Sequence, residues 1–458
     1  MRLFGLGNGN GNNGSAKRRE ILAFTWPVIL TNLLQSLTVT VNMIMVGNLG
    51  DEAGRDAIAG VGLGSQVVFL THSVMMAVSA GTIALVARHT GAGEKRKAER
   101  VMEQSIMLSL LLTVPLTLAG WFFGGHAVDA FGASSEVQEL GENYVKFVFL
   151  GTAFSFFEFI MGAALRGAGD MKTPMIMAAI TNIVNIAVGW VLIFGNLGFP
   201  RMGVLGAALA NMIGFMAGAS GYVALLAARR LRLNLPERRK RWSRGVNRRI
   251  MRIGVPAAAE QIVLQVGFLI YTAIIVYFGT AALAGHQIGA RIQGLAFMPG
   301  MGFAIAATAL VGQNLGARKP DEAEQCGWES TKLAVLVMCG IGLVMFIFAD
   351  PMARLFVSDP ETIDFAELWI RIQALAMPAI GIHFTLSGGL RGAGDTRWPL
   401  NVSVVGMFMV RLPLALALGF LFGLGILGAW IAFVVEYTVR AAIIAWRFRA
   451  GAWKTIKV

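Results

Sequence analysis

The residues of this sequence best suited to chemistry are charged side chains inside long apolar stretches. Glu260 lies about ten residues into one stretch, and Arg291 lies about ten residues into the next. Ionisable residues at membrane depth are costly, so each is a functional candidate by default. At about 1.5 Å per residue, both would lie roughly 15 Å along their helices. We therefore predict that they pair, either as a structural ion pair or as a switch that protonation or Na⁺ binding opens.

Two further pairs of polar residues lie in such stretches. Glu158 and His383 are 225 residues apart, and each lies towards one end of its stretch. His383 is either a neutral side chain that donates to a carbonyl or a member of a proton relay. Arg411 and Glu436 lie near the middle of the last two stretches. We expect Glu436 to cancel the charge of Arg411.

A glycine-rich segment occurs twice. Leu165–Pro174 and Leu390–Pro399 share seven of ten residues at a separation of 225. Both contain the Gly-x-Gly-Asp pattern of intramembrane aspartyl proteases, which need two facing aspartates that share one proton. Here each aspartate lies close to Lys172 or Arg397 and precedes a proline by four residues. We predict instead two helix C-terminal glycine turns, each with its aspartate capping the next helix, and no enzyme.

Further matches at offsets close to 225 occur along the chain. Ala57–Gly60 matches Ala282–Gly285 at 225, and Gly203–Ala207 matches Gly425–Ala429 at 222. Near the start, Trp26-Pro27 matches Val255-Pro256 at 229. Matches in one order at nearly one offset indicate a tandem duplication.

Composition defines the class of protein. The 458 residues are 56% hydrophobic and 14% charged, whereas a soluble domain carries about 25% charged residues. Apolar runs of roughly 20 residues span a bilayer as helices, so we predict a polytopic protein surrounded by membrane lipids. The formal charge is +13. The basic residues responsible for it lie between the apolar runs, so the charge does not indicate a nucleic-acid partner. Cys326 and Cys339 are interpreted as buried small residues.

The apolar pattern predicts an all-α membrane protein with twelve transmembrane helices in two six-helix bundles, related by a pseudo-two-fold axis along the membrane normal. The predicted spans are 21–47, 57–86, 101–123, 143–165, 173–195, 203–228, 250–278, 281–312, 328–349, 366–389, 398–422 and 425–446. The predicted divisions are a disordered tail (1–20), the first bundle (21–228), a basic linker (229–249), the second bundle (250–447) and a second tail (448–458).

Lysine and arginine set the predicted orientation. They cluster at Lys17–Arg19, at Lys95–Arg100 and in the central linker, whereas the alternate loops are acidic or nearly uncharged. Basic loops stay in the cytoplasm, so both termini are predicted to be cytoplasmic in a plasma (inner) membrane. Two parallel repeats suit a transporter whose halves rock about a path between them. No phosphate-binding Gly-x-x-x-x-Gly-Lys-Ser/Thr loop occurs in the sequence, so the energy would come from an ion gradient.

Several motifs resemble the MATE (multidrug and toxic compound extrusion) family. They are the two Leu-Arg-Gly-Ala-Gly-Asp loops, Met45–Gly50, Ala284–Ile288, Phe297–Gly302 and Gly312–Ala317, and the likeness covers about residues 20 to 447. The resemblance implies a cation-coupled exporter of bulky, often cationic, organic compounds. It uses Na⁺ or H⁺ as the coupling ion, needs no cofactor, and is expected to be a monomer.

The resemblance also suggests ion sites, with two departures. The first-helix aspartate of many MATE proteins falls here on Asn42, which cannot take up a proton but whose carbonyl can ligate Na⁺. The family's acid about two turns beyond the span 7 proline falls near Gln265, whereas Glu260 is only four residues past Pro256. We expect a Na⁺ site, if there is one, near Glu260 or Asn42.

Further candidates line the predicted cavity or bend its helices. The cavity candidates are Gln66 and Gln287. Four prolines are either gating hinges or ordinary helix kinks: Pro27, Pro256, Pro299 and Pro378. A rival function is a flippase for lipid-linked oligosaccharide or peptidoglycan precursors, which resembles MATE proteins in fold. It would need a cationic cavity for a pyrophosphate group, and only Arg291 and Arg411 are available at depth.

Overall fold

The chain folds into long helices. A computed structural model describes residues 13–49, 51–129, 135–235 and 242–456, and no strand occurs among them. The first half contains α1 (Asn13–Gly47), α2 (Asp51–Gly91), α3 (Lys95–Asp129), α4 (Ser135–Leu150), α5 (Thr152–Gly167), α6 (Lys172–Phe194) and α7 (Gly203–Ala227). The second contains α8 (Arg244–Val276), α9 (Thr280–Gly316), α10 (Pro320–Ile347), α11 (Ala349–Arg354), α12 (Pro360–Ala393), α13 (Arg397–Val404), α14 (Leu412–Leu416) and α15 (Gly425–Arg449).

The predicted architecture is confirmed. Ten helices in the described residues are long and apolar enough to cross a membrane, and the pair α4 and α5 adds an eleventh. The 41-residue helix α2 contains the predicted span 57–86 and extends beyond it at both ends. Most of the predicted tail 1–20 and part of the predicted linker 229–249 lie outside the described residues.

Two predicted spans are not single regular helices. The span 143–165 is broken at Gly151 into α4 and α5, which meet at 51°. A side chain at Gly151 would press against Met212, at about 3.2 Å, so the glycine lets α7 approach the bend. The span 398–422 contains two π-helical segments, Val405–Arg411 and Ala417–Leu421. The first of them includes Arg411.

Both predicted glycine turns are present. Gly169 and Gly394 have φ of +83° and +87°, a left-handed backbone that favours glycine. The amides of Asp170 and Asp395 each donate to the carbonyl five residues earlier, at 2.8 Å. These bonds satisfy carbonyls that the helix end would leave unpaired.

The predicted capping role of the two aspartates is correct at one turn only. Asp170 accepts from the amide and hydroxyl of Thr173, at 3.0 and 2.7 Å. Asp395 instead accepts from Arg447, at 2.8 Å. The residue equivalent to Thr173 is Trp398, which has no hydroxyl, and the Arg447 guanidinium lies over its ring at 4.8 Å.

The two halves meet at the end of the molecule that carries these turns, called here the turn end. A side chain at Gly91 of α2 would collide with the carbonyl of Gln313 in α9, and one at Gly316 of α9 would collide with the carbonyl of Arg88 in α2. Gly91 and Gly316 are themselves 225 residues apart. The two long helices therefore touch backbone to backbone at the turn end.

Candidate substrate cleft and ion-coupling sites

A cleft separates α1 from α9 towards the end opposite the turn end. Its volume is about 500 Å³, which suits a small organic ligand. Arg291 of α9 lines one side of it. The other side is formed by α1 through Val39, Thr40, Met43, Ile44, Gly47 and Asn48.

The predicted pair between Glu260 and Arg291 is wrong. Glu260 is buried, and its carboxylate accepts from Arg391 at 2.7 Å and from Ser403 at 3.0 Å. Arg291 is exposed in the cleft, and its one hydrogen-bond contact among the described residues is the sulfur of Met43, at 4.0 Å. Similar depths on consecutive helices do not make two side chains face each other, because Glu260 faces α12 and α13 whereas Arg291 faces α1.

The partner of Glu260 comes from the repeated motif. Arg391 is the arginine of the second Leu-Arg-Gly-Ala-Gly-Asp segment, and its repeat equivalent is Arg166. Sequence reasoning treated this motif as a turn and missed its arginines. Their identical placement in both repeats, one residue into each segment, was the available signal.

The expected contact between Arg411 and Glu436 is present, with nitrogen–oxygen distances of 2.5 and 3.1 Å. Arg440, which the sequence analysis missed, forms a second ion pair with the same carboxylate. Its spacing of four residues from Glu436 on one helix was the signal for this pair. Tyr271, Phe433 and Tyr437 surround the Arg411 guanidinium with rings 4.8–5.6 Å away. Glu436 is thus shared by two arginines.

Glu158, one of two buried glutamates of the first half, has a different environment from Glu260 and Glu436. Glu158 accepts a hydrogen bond from Thr181 at 2.8 Å and lies against Gly218. Arg166 acts on it electrostatically, but no lysine or arginine of the described residues forms an ion pair with it. Glu260, Glu436 and Asp395 each contact a guanidinium, whereas the hydrogen-bond donor of Glu158 in the described residues is a neutral hydroxyl.

His383 lies in the other half and does not meet Glu158. It is fully buried beside Phe384 and Tyr437, with ring centroids 5.8 and 6.1 Å away. Its Nδ1 atom has no hydrogen-bond partner in the described part of the chain. No carbonyl there accepts from the ring, so the expected bond to a carbonyl is wrong.

Asn42 forms a second polar site in the first half. Its amide nitrogen donates to Asn185 Oδ1 at 2.9 Å. Its own Oδ1 is buried and has no hydrogen-bond partner among the described residues. Two amide oxygens therefore lie close together, which is chemistry that suits a hard cation. Asn185 was missed, although Thr181, Asn182 and Asn185 form a polar stripe at helical spacing within an apolar span.

The remaining candidates are spread over several helices. Gln265 is half-buried on α8, and Gln287 is exposed on α9 one turn before Arg291. The side chain of Gln66 lies outside the described part of the structure. The four prolines lie inside α1, α8, α9 and α12. Within the described ranges, no three His, Cys, Asp or Glu side chains group as metal ligands.

The two halves are joined by reciprocal hydrogen bonds at the turn end. Arg88 of α2 donates to the carbonyl of Ala393 at 3.1 Å, and Gln313 of α9 donates to the carbonyl of Gly167 at 2.9 Å. Arg88 also donates to the carbonyl of Ile456 at 3.0 Å. Each half therefore caps the glycine turn of the other.

Comparison with known proteins identifies a family of transporters. The MatE family model matches residues 27–191 and 256–417, one segment in each half. A probable multidrug resistance protein NorM from Thermotoga maritima is 31% identical over 441 residues, which are 95% of this chain and 93% of that protein. The probable multidrug resistance protein YoeA from Bacillus subtilis is 26% identical over 95% of this chain and 94% of that protein.

A solved structure has the same fold. It is described as the outward-facing conformation of a multidrug resistance MATE family transporter of the MOP superfamily. The TM-score is 0.89 at 24% sequence identity, over 96% of this chain and 97% of that one. At this level of identity the likeness establishes the fold alone.

Proposed function

Because this chain belongs to the MatE family, we propose that it is a secondary active antiporter that exports bulky organic compounds in exchange for H⁺ or Na⁺ by alternating access. The observation that best supports this proposal is the contrast between the two ends of the molecule. Backbone contact and reciprocal hydrogen bonds join α2 and α9 at the turn end, whereas α1 and α9 enclose an open cleft of about 500 Å³ towards the other end. Rocking of two related halves would exchange these arrangements.

The basic loops orient the proposed transporter. The turn end carries Lys95–Arg100, Arg318 and Lys319, and such loops face the cytoplasm. The turn end is then the cytoplasmic face of a plasma membrane, both termini are cytoplasmic, and the cleft opens outwards. The two bundles, 21–228 and 250–447, are the moving units in this proposal.

Glu158 is the proposed proton-binding residue. Glu260 and Glu436 are each neutralised by arginine contacts, so protonation of Glu260 would leave the half-buried Arg391 unpaired, and protonation of Glu436 would leave two buried guanidinium groups unpaired. Glu158 has Thr181 as its hydrogen-bond donor and no such contact within the described part of the chain. Its protonation removes a buried charge without leaving a guanidinium unpaired, so Glu158 is less costly to cycle than Glu260 or Glu436.

Asn42 and Asn185 are the alternative site, and they would bind Na⁺. The Oδ1 of Asn42, which has no partner in the described ranges, and the Oδ1 of Asn185 supply two neutral oxygen ligands. A site without a carboxylate near the ion leaves its charge uncompensated, so it would hold Na⁺ weakly.

The test is dye transport in vesicles under imposed H⁺ and Na⁺ gradients, applied separately. We expect Glu158→Gln to abolish transport driven by the H⁺ gradient. Glu361→Gln, the same change at an exposed residue of α12, should have no effect. If Na⁺ is the coupling ion, Asn42→Ala should abolish transport and Glu158→Gln should not. If neither gradient drove the transport of any dye, the proposed function would be contradicted.

The flippase alternative is supported by one observation, the unpaired Arg291 in the cleft. A pyrophosphate head group needs more positive charge than one guanidinium, and Arg411 is already held by Glu436 and three rings. Antiport of an organic compound therefore fits the described cleft better.

A further inference from the structure

The buried and membrane-depth arginines of the second half are paired, with one exception. Arg391 binds Glu260, Arg411 and Arg440 bind Glu436, and Arg447 binds Asp395. Arg291 lies 11 residues after the first residue of α9, about 16 Å along the helix. Its hydrogen-bond contact within the described residues is the Met43 sulfur, at 4.0 Å. A guanidinium at this depth calls for an anionic partner, and no protein group in the described residues supplies one.

The cleft around Arg291 has a polar rim and an apolar wall. Thr40 and Asn48 line it together with Arg291, and Gln287 is exposed on the same face of α9, four residues earlier. Val39, Met43 and Ile44 provide the apolar surface. The described lining contains no carboxylate, so it offers no counter-charge to an organic cation.

The duplication limits the charge of the ligand. The residue 225 positions before Arg291 is Gln66, which is uncharged. At these two equivalent positions, the repeats therefore provide one arginine and not two. One guanidinium forms a bidentate pair with one carboxylate, sulfonate or phosphate.

We infer that Arg291 is the head-group site of the cleft and that it takes an amphipathic organic anion, whose apolar body lies against Met43 and its neighbours on α1. This inference rests on the proposed function, because it assigns a substrate class to the same cleft. It departs from the cationic compounds that the family resemblance implies.

Two dyes with a common xanthene core and opposite charge test the inference: fluorescein, an anion, and rhodamine 6G, a cation. Vesicles would contain the wild-type protein, Arg291→Gln, Arg291→Lys or Arg449→Gln. Arg449 is an exposed arginine at the end of α15, so its variant repeats the charge change away from the cleft. We expect Arg291→Gln to lower fluorescein transport about tenfold, equivalent to roughly 1.4 kcal/mol, and to leave rhodamine 6G transport unchanged or higher. Arg291→Lys and Arg449→Gln should retain fluorescein transport.

Wild-type transport of rhodamine 6G without fluorescein would overturn the inference and leave the proposed antiport intact. Equal fluorescein transport by wild type and Arg291→Gln would overturn it as well. Transport of neither dye under any gradient would contradict the proposed function instead. Fluorescence polarisation would then decide the inference, because fluorescein binding weakened by Arg291→Gln supports it, whereas absent or equal binding overturns it.

Discussion

Arg88 and Gln313 occupy equivalent positions in the two repeats, and each donates a hydrogen bond to the glycine turn of the opposite half. The two turns are otherwise local structures that end α5 and α12. Through these bonds they become the junction between the halves. A bond made by a side chain and a turn carbonyl can break and re-form without unfolding either helix.

Loss of both bonds should loosen the turn end. A hydrogen bond from a charged donor contributes about 1.5–3 kcal/mol and a neutral one about 1 kcal/mol, so Arg88→Ala with Gln313→Ala should populate an arrangement open at this end. Spin labels at Ala92 and Ala317, exposed at the ends of α2 and α9, would measure it in a background lacking Cys326 and Cys339. A longer distance component is expected. Arg88→Gln, which copies the side chain of the other repeat, should retain the short distance, and an unchanged distance in the double alanine variant would contradict the junction.

A side chain at Gly91 should separate α2 from α9. The Cβ of Gly91→Ala would collide with the backbone carbonyl of Gln313, and overpacking of this kind costs about 1–3 kcal/mol. The same spin-label pair should report a longer distance, and dye transport should fall. Gly340→Ala is the control, because nothing lies within 4 Å of its added methyl group.

Removal of Arg391 should destabilise the protein more than removal of the whole ion pair. Glu260 is 2% exposed, and a buried carboxylate without its partner costs about 3–5 kcal/mol. We expect Arg391→Gln to lower the thermal unfolding midpoint strongly, and Arg391→Gln with Glu260→Gln to recover most of the loss. The double variant should also retain gradient-driven transport. Transport lost in a well-folded double variant would instead make this pair the switch.

Glu436→Gln should be among the most destabilising single changes in the second half. It leaves both Arg411 and Arg440 buried without a counter-charge, at a cost of about 3–5 kcal/mol or more. Glu367→Gln breaks an ion pair with the exposed Arg371, which contributes only about 0–1 kcal/mol. Unfolding midpoints of the two variants in detergent would give the comparison. Equal midpoints would contradict the claim that Glu436 stabilises the protein by neutralising two buried arginines.

Asp359 should make stability depend on acid pH. Hydrogen bonds from the hydroxyl and amide of Thr362 lower the pKa of this carboxyl below its ordinary value. Its stabilising contribution is therefore present above the ordinary aspartate pKa of about 3.9 and is lost as the pH falls through the lower folded value. Asp359→Asn retains a good helix cap and should flatten the change in unfolding midpoint between about pH 5 and 3. An unaltered slope would contradict this role.

The sequence by itself determined the features that depend on local or repeated patterns. Apolar runs located the spans, and glycine at fixed positions predicted both turns, because a left-handed backbone is a property of one residue. Offsets of 222–229 residues established the duplication, and the motifs along both halves pointed to the family. The contact between Arg411 and Glu436 was predictable because few charged residues lie at the same depth on those two neighbouring helices.

Tertiary structure alone decided which charges meet. Glu260 binds Arg391, 131 residues away, and not Arg291, because the rotation of each helix about its axis selects the neighbour that its side chain faces. The sequences of α9 and α12 do not reveal this rotation, because their apolar residues are distributed almost evenly around the helix axis. The cleft beside Arg291 is likewise decided by how the two six-helix units pack against each other. The same packing brings Arg88 and Gln313 to the glycine turn of the opposite half.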